Sequence, residues 1–293
     1  MQKAWSFVAV GITTLFGVSA AQASSLVNLS ITGSAPNDYR VFDISGTTVN
    51  VVPATLGNAE KVLDGNAANP TGNVELAASS EQFGFDFSKN TALTGTIAGK
   101  SLTLSSLTAA DWQIIGNQWF DDLLTAYLVL PDFLIPNLAE IKIELRSRLL
   151  TEITQRRFSD PNISYVYQDP NNTLRIGLAG FLDARPILTQ GLNLSDRLFV
   201  GTLLPRPVQI SELVKYTYGD KTGYLYSFFA TPSGLVAGDD GVSFTGNYEV
   251  TIPGHPTRAV PGPGVLAGVA ASMGLGALQM SRRKKGAEPN AVL

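Results

Sequence analysis

The side chains that most often carry catalysis are scarce in this sequence of 293 residues. It has no cysteine and a single histidine, His255. Thiol nucleophiles, disulfides, thiolate metal sites and centres that need two imidazoles are therefore excluded. His255 lies between Gly254 and Pro256 in a stretch rich in proline and glycine, where no rigid surroundings could orient it as a base or ligand. The sequence thus predicts no catalytic residue and favours a protein that is not an enzyme.

Carboxylates remain as candidates for acid–base chemistry. A glycosidase needs only two carboxyls roughly 5 to 10 Å apart, and Asp121, Asp122, Glu140 and Glu144 lie in segments predicted below to be helical. Adjacent Asp121 and Asp122 point about 100° apart on a helix. Glu140 and Glu144 alternate with basic residues, as on an ordinary solvated helix face. A carboxylate glycosidase is therefore kept only as an alternative.

Two acidic loops could supply oxygen ligands for Ca²⁺. They lie at residues 169–172 and 239–241 and contain Asp and Asn side chains. Neither loop has the spacing of an EF-hand or of a calcium-binding nonapeptide repeat. Ordinary turn chemistry explains both, so we expect no cofactor and no metal, with Ca²⁺ as the alternative.

Tyrosines alternate along two predicted strands, at Tyr216 and Tyr218 and at Tyr224 and Tyr226. Alternation places each pair on one face of its strand. Such a face usually forms a wall of the core with the hydroxyls at its rim. It could instead stack on sugar rings, and these four residues are the candidate glycan contacts.

The body that must position these residues spans residues 24–252 and divides by periodicity into 24–107, 108–158 and 159–252. Alternating apolar runs separated by Gly, Asn, Pro and Ser predict strands in the first and last parts. They lie at residues 39–44, 48–52, 83–87, 101–104, 174–182, 213–218, 224–229 and 244–252, with a hairpin loop at 219–223.

The middle part of the body has the period of amphipathic helices. Thr108 and Asp111 form a capping box, and a stripe of large apolar residues follows until Pro131 ends the helix. A second amphipathic helix is predicted from Asn137 to Phe158, with Ile153 on its apolar side. The expected fold class is α+β: two central helices pack on one face of a mainly antiparallel, β-rich body.

The N-terminus has the pattern of an export signal. Lys3 supplies a positive charge, residues 7–18 are an uncharged apolar run, and Ala21 and Ala23 provide the small residues that signal peptidase accepts. The apolar run is shorter than the about 20 residues that a membrane-spanning helix needs. We therefore predict a signal peptide at residues 1–23, with the mature chain starting at Ser24.

The C-terminus contains a second and different signal. A Pro/Gly linker at residues 253–264 precedes a transmembrane helix predicted at 265–281, within an uncharged stretch that begins at residue 259. The basic tail at 282–293 starts with Arg282, Arg283, Lys284 and Lys285. Because basic residues stay on the cytoplasmic side, the two signals predict an exported body tethered in the inner membrane, with the C-terminus in the cytoplasm.

This tripartite end resembles the PEP-CTERM sorting tail of exported bacterial proteins. Its proline motif is Pro261-Gly262-Pro263, followed by the apolar helix and the basic cluster. The resemblance implies signal peptidase and an exosortase-like sorting enzyme as partners. Gly262 stands where the family normally has glutamate, and residues 286–293 extend beyond the usual end of such a tail. Without processing, the protein would be a single-span membrane protein.

The body also resembles a cyanobacterial group of exported PEP-CTERM proteins with no assigned activity. The resemblance lies in residues 118–127, 158–166 and 212–250, and it implies a cell-envelope or extracellular location near exopolysaccharide. The formal net charge of −3 and a charged fraction of 15% argue against a nucleic-acid partner. We expect a non-enzymatic surface or extracellular-matrix protein; an exopolysaccharide-binding module and a glycosidase are the alternatives.

Overall fold

The computed structural model of the protein describes residues 24–127, 137–169, 172–204, 207–237 and 243–252. The predicted signal peptide, Pro/Gly linker, transmembrane helix and basic tail lie outside these residues, as does the acidic loop at 239–241. Within the described ranges no helix is both long and apolar enough to cross a membrane.

The described residues form a β-rich body with antiparallel sheets and a few helices. The strands are β1 (Ser24–Ser25), β2 (Val27–Gly33), β3 (Tyr39–Ser45), β4 (Thr48–Val52), β5 (Gly72–Leu76), β6 (Thr91–Ile97), β7 (Lys100–Ser105), β8 (Asn162–Gln168), β9 (Leu174–Phe181), β10 (Ile210–Ser211), β11 (Val214–Tyr218), β12 (Lys221–Leu225), β13 (Thr231–Pro232), β14 (Val236–Ala237) and β15 (Gly246–Ile252). The helices are α1 (Leu56–Leu63), α2 (Ala109–Tyr127), α3 (Leu138–Leu149), α4 (Glu152–Arg157), α5 (Arg185–Leu188) and α6 (Leu194–Leu203).

Two sheets organise these strands. The larger has the order β13-β15-β9-β8-β5-β3-β4-β14, with β1 added beside β8 and β10 beside β9; its pairings are antiparallel except that β14 runs parallel to β4. The smaller has the order β12-β11-β7-β6-β2 and is antiparallel throughout. One apolar cluster joins both sheets, with Leu93 and Leu104 from the smaller and Ile176 and Val250 from the larger.

The helices contribute to a second apolar cluster, and the predicted helix after Thr108 forms as α2. Pro131, its predicted end, lies outside the described residues. The Thr108 backbone nitrogen donates to Asp111 Oδ2 at 2.9 Å, and the Asp111 nitrogen donates to Thr108 Oγ1 at 3.3 Å. This exchange confirms the capping box. The predicted stripe is also confirmed, since Trp112, Trp119 and Leu123 are all buried in the cluster, together with Leu145 of α3 and Leu149.

The second predicted helix is two helices. Helix α3 ends at Leu149 and α4 begins at Glu152, because Thr151 accepts a hydrogen bond from the Thr154 backbone nitrogen at 3.3 Å and so caps a new start. The break rotates the apolar stripe. Ile153, predicted on the inward side, is therefore 52% exposed.

Two strand predictions were also wrong. Residues 83–87 form turns, with Gly84 at a φ of +84°.

The hairpin predicted with a loop at 219–223 closes through a two-residue turn, since Tyr218 pairs directly with Lys221. Gly219 takes the positive φ (+61°) that the turn requires. Strand β12 consequently ends at Leu225 rather than at residue 229.

Candidate functional site

The four candidate glycan tyrosines do not form one solvent-facing wall. Tyr226 is 0% exposed and Tyr216 only 5% exposed, whereas Tyr218 and Tyr224 are half-buried. The Tyr226 hydroxyl donates to Asp122 Oδ2 at 2.7 Å. This burial agrees with the core-wall interpretation for Tyr216 and Tyr226, whose rings could meet a sugar only if the core opened.

Tyr224 belongs to a network around the buried Asp111. Asp111 Oδ1 accepts hydrogen bonds from Lys215 Nζ and from the Tyr224 hydroxyl, both at 2.8 Å, and Oδ2 accepts the Thr108 backbone nitrogen. Burial alone would raise the pKa of Asp111, but the hydrogen bonds from Lys215, Thr108 and Tyr224 outweigh it and lower that pKa. Burial and the Asp111 carboxylate raise the pKa of Tyr224. The network ties the start of α2 to strands β11 and β12.

The four carboxylates considered for glycosidase chemistry have different surroundings. Asp121 Oδ1 accepts from Arg146 Nη2 at 2.9 Å, Asp122 accepts from Tyr226, and Glu144 pairs with Arg148. Glu140 is exposed. Asp121, Asp122 and Glu144 are therefore each bound by a different side chain.

Of the acidic loop at 169–172, Asp169 and Asn172 are among the described residues, and neighbouring groups bind the Asp169 carboxylate. Asp169 Oδ1 accepts the Thr173 backbone nitrogen at 3.0 Å, and Oδ2 accepts Arg175 Nε at 2.8 Å. Both carboxylate oxygens thus hold the turn and the neighbouring strand.

A buried pair of carboxyls that sequence reasoning missed lies between α4 and β10. Asp160 follows α4 and Glu212 follows β10, and each is only 4% exposed. Asn162 connects them: its backbone nitrogen donates to Glu212 Oε2 at 2.7 Å, and its Nδ2 donates to Glu212 Oε1 and Oε2 at 3.2 and 3.0 Å. Ser80 Oγ donates to Asp160 Oδ2.

Burial dominates the electrostatics of this pair. It raises the pKa of Asp160 to about 7, against the hydrogen bond from Ser80. Burial, and then the nearby Asp160 carboxylate, raise the pKa of Glu212 well above 4.5. Neighbouring buried carboxyls whose pKa values are both raised are a common feature of functional sites.

The pair borders a small polar cavity of about 140 Å³. Its charged lining residues comprise two guanidiniums and four carboxyls: Arg40, Arg157, Glu75, Glu81, Asp160 and Glu212. In the strand register, Arg40 of β3 lies opposite Glu75 of β5, and Glu75 lies opposite Asn162 of β8. The volume is below the about 300 to 1,000 Å³ of pockets for organic ligands, which favours water or an ion as the occupant.

At this cavity, Oδ1 of Asp160 and Oδ1 of Asn162 are buried and lack hydrogen-bond partners among the described residues. Among all the described residues, no three His, Cys, Asp or Glu side chains are grouped closely enough to hold a metal ion by themselves. A cation here would therefore need the amide oxygen and water in addition to the two carboxyls.

The first and last strands of the described body, β1 and β15, end at one edge of the larger sheet, the edge formed by strand ends. Ser24 of β1 pairs with Gln168 of β8, Gln168 pairs with Leu174 of β9, and Leu174 pairs with Ile252 of β15. These residues form one row of four strands. With neighbouring strands about 4.8 Å apart, Ser24 and Ile252 are about 14 Å from each other.

A larger cleft of about 760 Å³ lies at the same edge. Its lining combines an aromatic ring, two lysines and two amides: Tyr218, Lys100, Lys221, Gln168 and Asn172. Lys100 Nζ lies 5.6 Å from the centre of the Tyr218 ring. Of the four candidate tyrosines, only Tyr218 is among the residues that line this cleft.

The sequence carried one signal for the buried pair. Glu212 stands within the apolar run from Ile210 to Val214, where a charge is unexpected, whereas Asp160 beside Pro161 resembled an ordinary helix stop.

Comparisons with protein-family models, with curated proteins and with solved structures found no match.

Proposed function

We propose that the protein is an exported, non-enzymatic cell-surface or extracellular-matrix protein. In this proposal the chain consists of a signal peptide (1–23), an α+β body (24–252), a Pro/Gly linker (253–264), a transmembrane sorting helix (265–281) and a basic cytoplasmic tail (282–293).

The observation that carries the proposal is the position of Ser24 and Ile252 in one row of the larger sheet. A chain with a leader at one end and a membrane helix at the other has both ends in the same bilayer before processing. Because both ends of the body leave from one edge, the body can fold on the outer face of that bilayer. The chain does not have to cross the width of the body to reach its second membrane segment. The Pro/Gly linker then acts as a semi-rigid spacer between Ile252 and the membrane.

The partners in this scheme are signal peptidase, acting between Ala23 and Ser24, and an exosortase-like enzyme, acting at Pro261-Gly262-Pro263. The cluster Arg282-Arg283-Lys284-Lys285 keeps the tail in the cytoplasm until that step.

The test is mass mapping of both ends of the native protein, recovered separately from the membrane and the medium. We expect a start at Ser24 and an end within residues 261–263, found outside the membrane. A Pro261→Ala, Pro263→Ala double variant should keep Leu293 in the membrane fraction, whereas Pro256→Ala, a linker proline outside the motif, should be processed normally.

Two other outcomes are informative. A start at Ser24 with Leu293 retained in the native protein would keep export and tethering but remove the sorting enzyme. An intact Met1 start in the cytoplasm would contradict the proposal.

Exopolysaccharide binding is the second candidate function, supported by the cleft around Tyr218. Aromatic rings stack on sugar rings, amides bond to hydroxyls, and lysines attract acidic sugars. We expect Tyr218→Ala to weaken retention on the producer's own polysaccharide at least tenfold. Tyr224→Phe, which keeps a ring outside the cleft, is the matched control and should leave retention unchanged; equal retention of all three proteins would exclude this candidate.

A further inference from the structure

We propose that Asp160, Asn162 and Glu212 bind a calcium ion in the cavity of about 140 Å³. This site is independent of export and sorting, and it lies outside both acidic loops that the sequence suggested.

Asp160 and Asn162 each carry an unsatisfied oxygen atom at the cavity. Oδ1 of Asp160 and Oδ1 of Asn162 accept no hydrogen bond among the described residues, although both residues are only 4% exposed and line the cavity. A buried acceptor without a partner destabilises the folded state. Both atoms need a donor or a cation, and both belong to groups that coordinate Ca²⁺ well.

The charged residues that line the cavity include more carboxyls than guanidiniums. Arg157 forms an ion pair with Glu81, and Arg40 lies opposite Glu75 on neighbouring strands. These four residues balance one another in charge. The carboxyls of Asp160 and Glu212 remain as an excess, and a divalent cation would neutralise both.

The donor chemistry selects the kind of ion. The available ligands are carboxylate, amide and hydroxyl oxygens, which suit hard cations rather than zinc. Ca²⁺ accepts six to eight oxygen ligands in irregular geometry, and water in the cavity can supply those that the three side chains do not. Mg²⁺ requires a near-ideal octahedron and gives up water reluctantly, so we expect Ca²⁺ to bind more tightly.

The test is calorimetric titration of the full-length chain in detergent with CaCl₂ and, separately, with MgCl₂. We expect one Ca²⁺ to bind per chain. Asp160→Asn and Glu212→Gln should each lower the Ca²⁺ affinity at least tenfold. Glu140→Gln removes one charge from an exposed helix face and should leave the affinity unchanged.

The variants also guard against misfolding as an explanation. Asp160→Asn is isosteric and removes repulsion within the pair, so without Ca²⁺ this variant should unfold at the same or a higher temperature than the native sequence. Native protein should gain thermal stability from Ca²⁺, and the variants should not. Absence of binding to the native protein, or binding that both buried variants retain, would overturn the proposal; the second result would place the ion elsewhere, and Asp169→Asn would test the loop after β8.

Discussion

Asn162 holds Glu212 through three hydrogen bonds, one from its backbone nitrogen at 2.7 Å and two from its side-chain amide at 3.2 and 3.0 Å. Glu212 follows β10, and Asn162 begins β8, so this contact joins segments 50 residues apart. Both residues are buried. The contact therefore fixes the position of a buried carboxyl.

Asn162→Ala should lower the free energy of unfolding by about 2 to 3 kcal/mol, because it removes the amide donors and leaves Glu212 buried with a single partner. Urea unfolding in the presence of EGTA measures the change. Asn50→Ala, on the exposed side of β4, should cost less than about 0.5 kcal/mol. Equal losses in the two variants would show that the contact with Glu212 contributes nothing.

The buried pair should also make the protein less stable as the pH rises. Burial raises the pKa of Asp160 from 3.8 to about 7, so between about pH 4 and pH 7 the folded chain keeps a proton that the unfolded chain has released. This contribution is complete below about pH 4 and is lost as the pH passes through about 7. Asp111, whose pKa is lowered, acts in the opposite sense: its contribution is present at neutral pH and is lost under acid.

The difference between native protein and Asp160→Asn isolates this effect. With EGTA present, the variant should gain stability relative to the native protein between pH 5 and pH 8, as followed by urea unfolding at several pH values. Asp121→Asn, at an exposed ion pair, should track the native protein throughout. If Asp160→Asn shows the same pH profile as the native chain, Asp160 does not titrate differently on folding.

Local patterns predicted α2 well, whereas the candidate site depends on distant contacts. The exchange between Thr108 and Asp111 spans three residues, so the sequence alone could place it. The break at Thr151 is equally local, but the apolar spacing on either side of it masked the cap. Burial of Asp160 requires Ser80 and Glu212, which lie far away in the chain. A periodic pattern of residues does not encode contacts between segments so far apart in the chain.

The same contrast applies to the tyrosines. Alternation correctly grouped Tyr216 with Tyr218 on β11, but it could not say which end of the strand faces solvent. Burial of Tyr216 follows from packing between the two sheets, and Tyr218 lies at the end of the strand, beside Lys100 of the neighbouring β7. The sequence predicted that the two tyrosines share one face of β11, but not how deeply each ring is buried.

Asp111→Ala should be among the more damaging single substitutions of an acidic residue outside the buried pair. It removes the half of the capping box in which Asp111 accepts the Thr108 backbone nitrogen, and it leaves Lys215 and Tyr224 without their shared acceptor. We expect a loss of about 2 to 4 kcal/mol in the free energy of unfolding. Asp121→Ala is the matched control, because its pair with Arg146 is exposed and should contribute less than about 1 kcal/mol. Similar losses for both variants would mean that the network contributes no more than a surface ion pair.

Circular permutation tests the shared edge of Ser24 and Ile252. A six-residue Gly/Ser linker spans up to about 20 Å, which exceeds the about 14 Å that three strand spacings give. A permutant that joins Ile252 to Ser24 and opens the turn at Gly46 should therefore fold as a monomer. Its free energy of unfolding should lie within about 2 kcal/mol of the linear 24–252 chain, measured by urea unfolding with light scattering for mass. A two-residue linker reaches only about 7 Å and should prevent monomeric closure, so equal behaviour of the two linkers, or a swapped dimer with the longer one, would contradict the row that runs from β1 to β15.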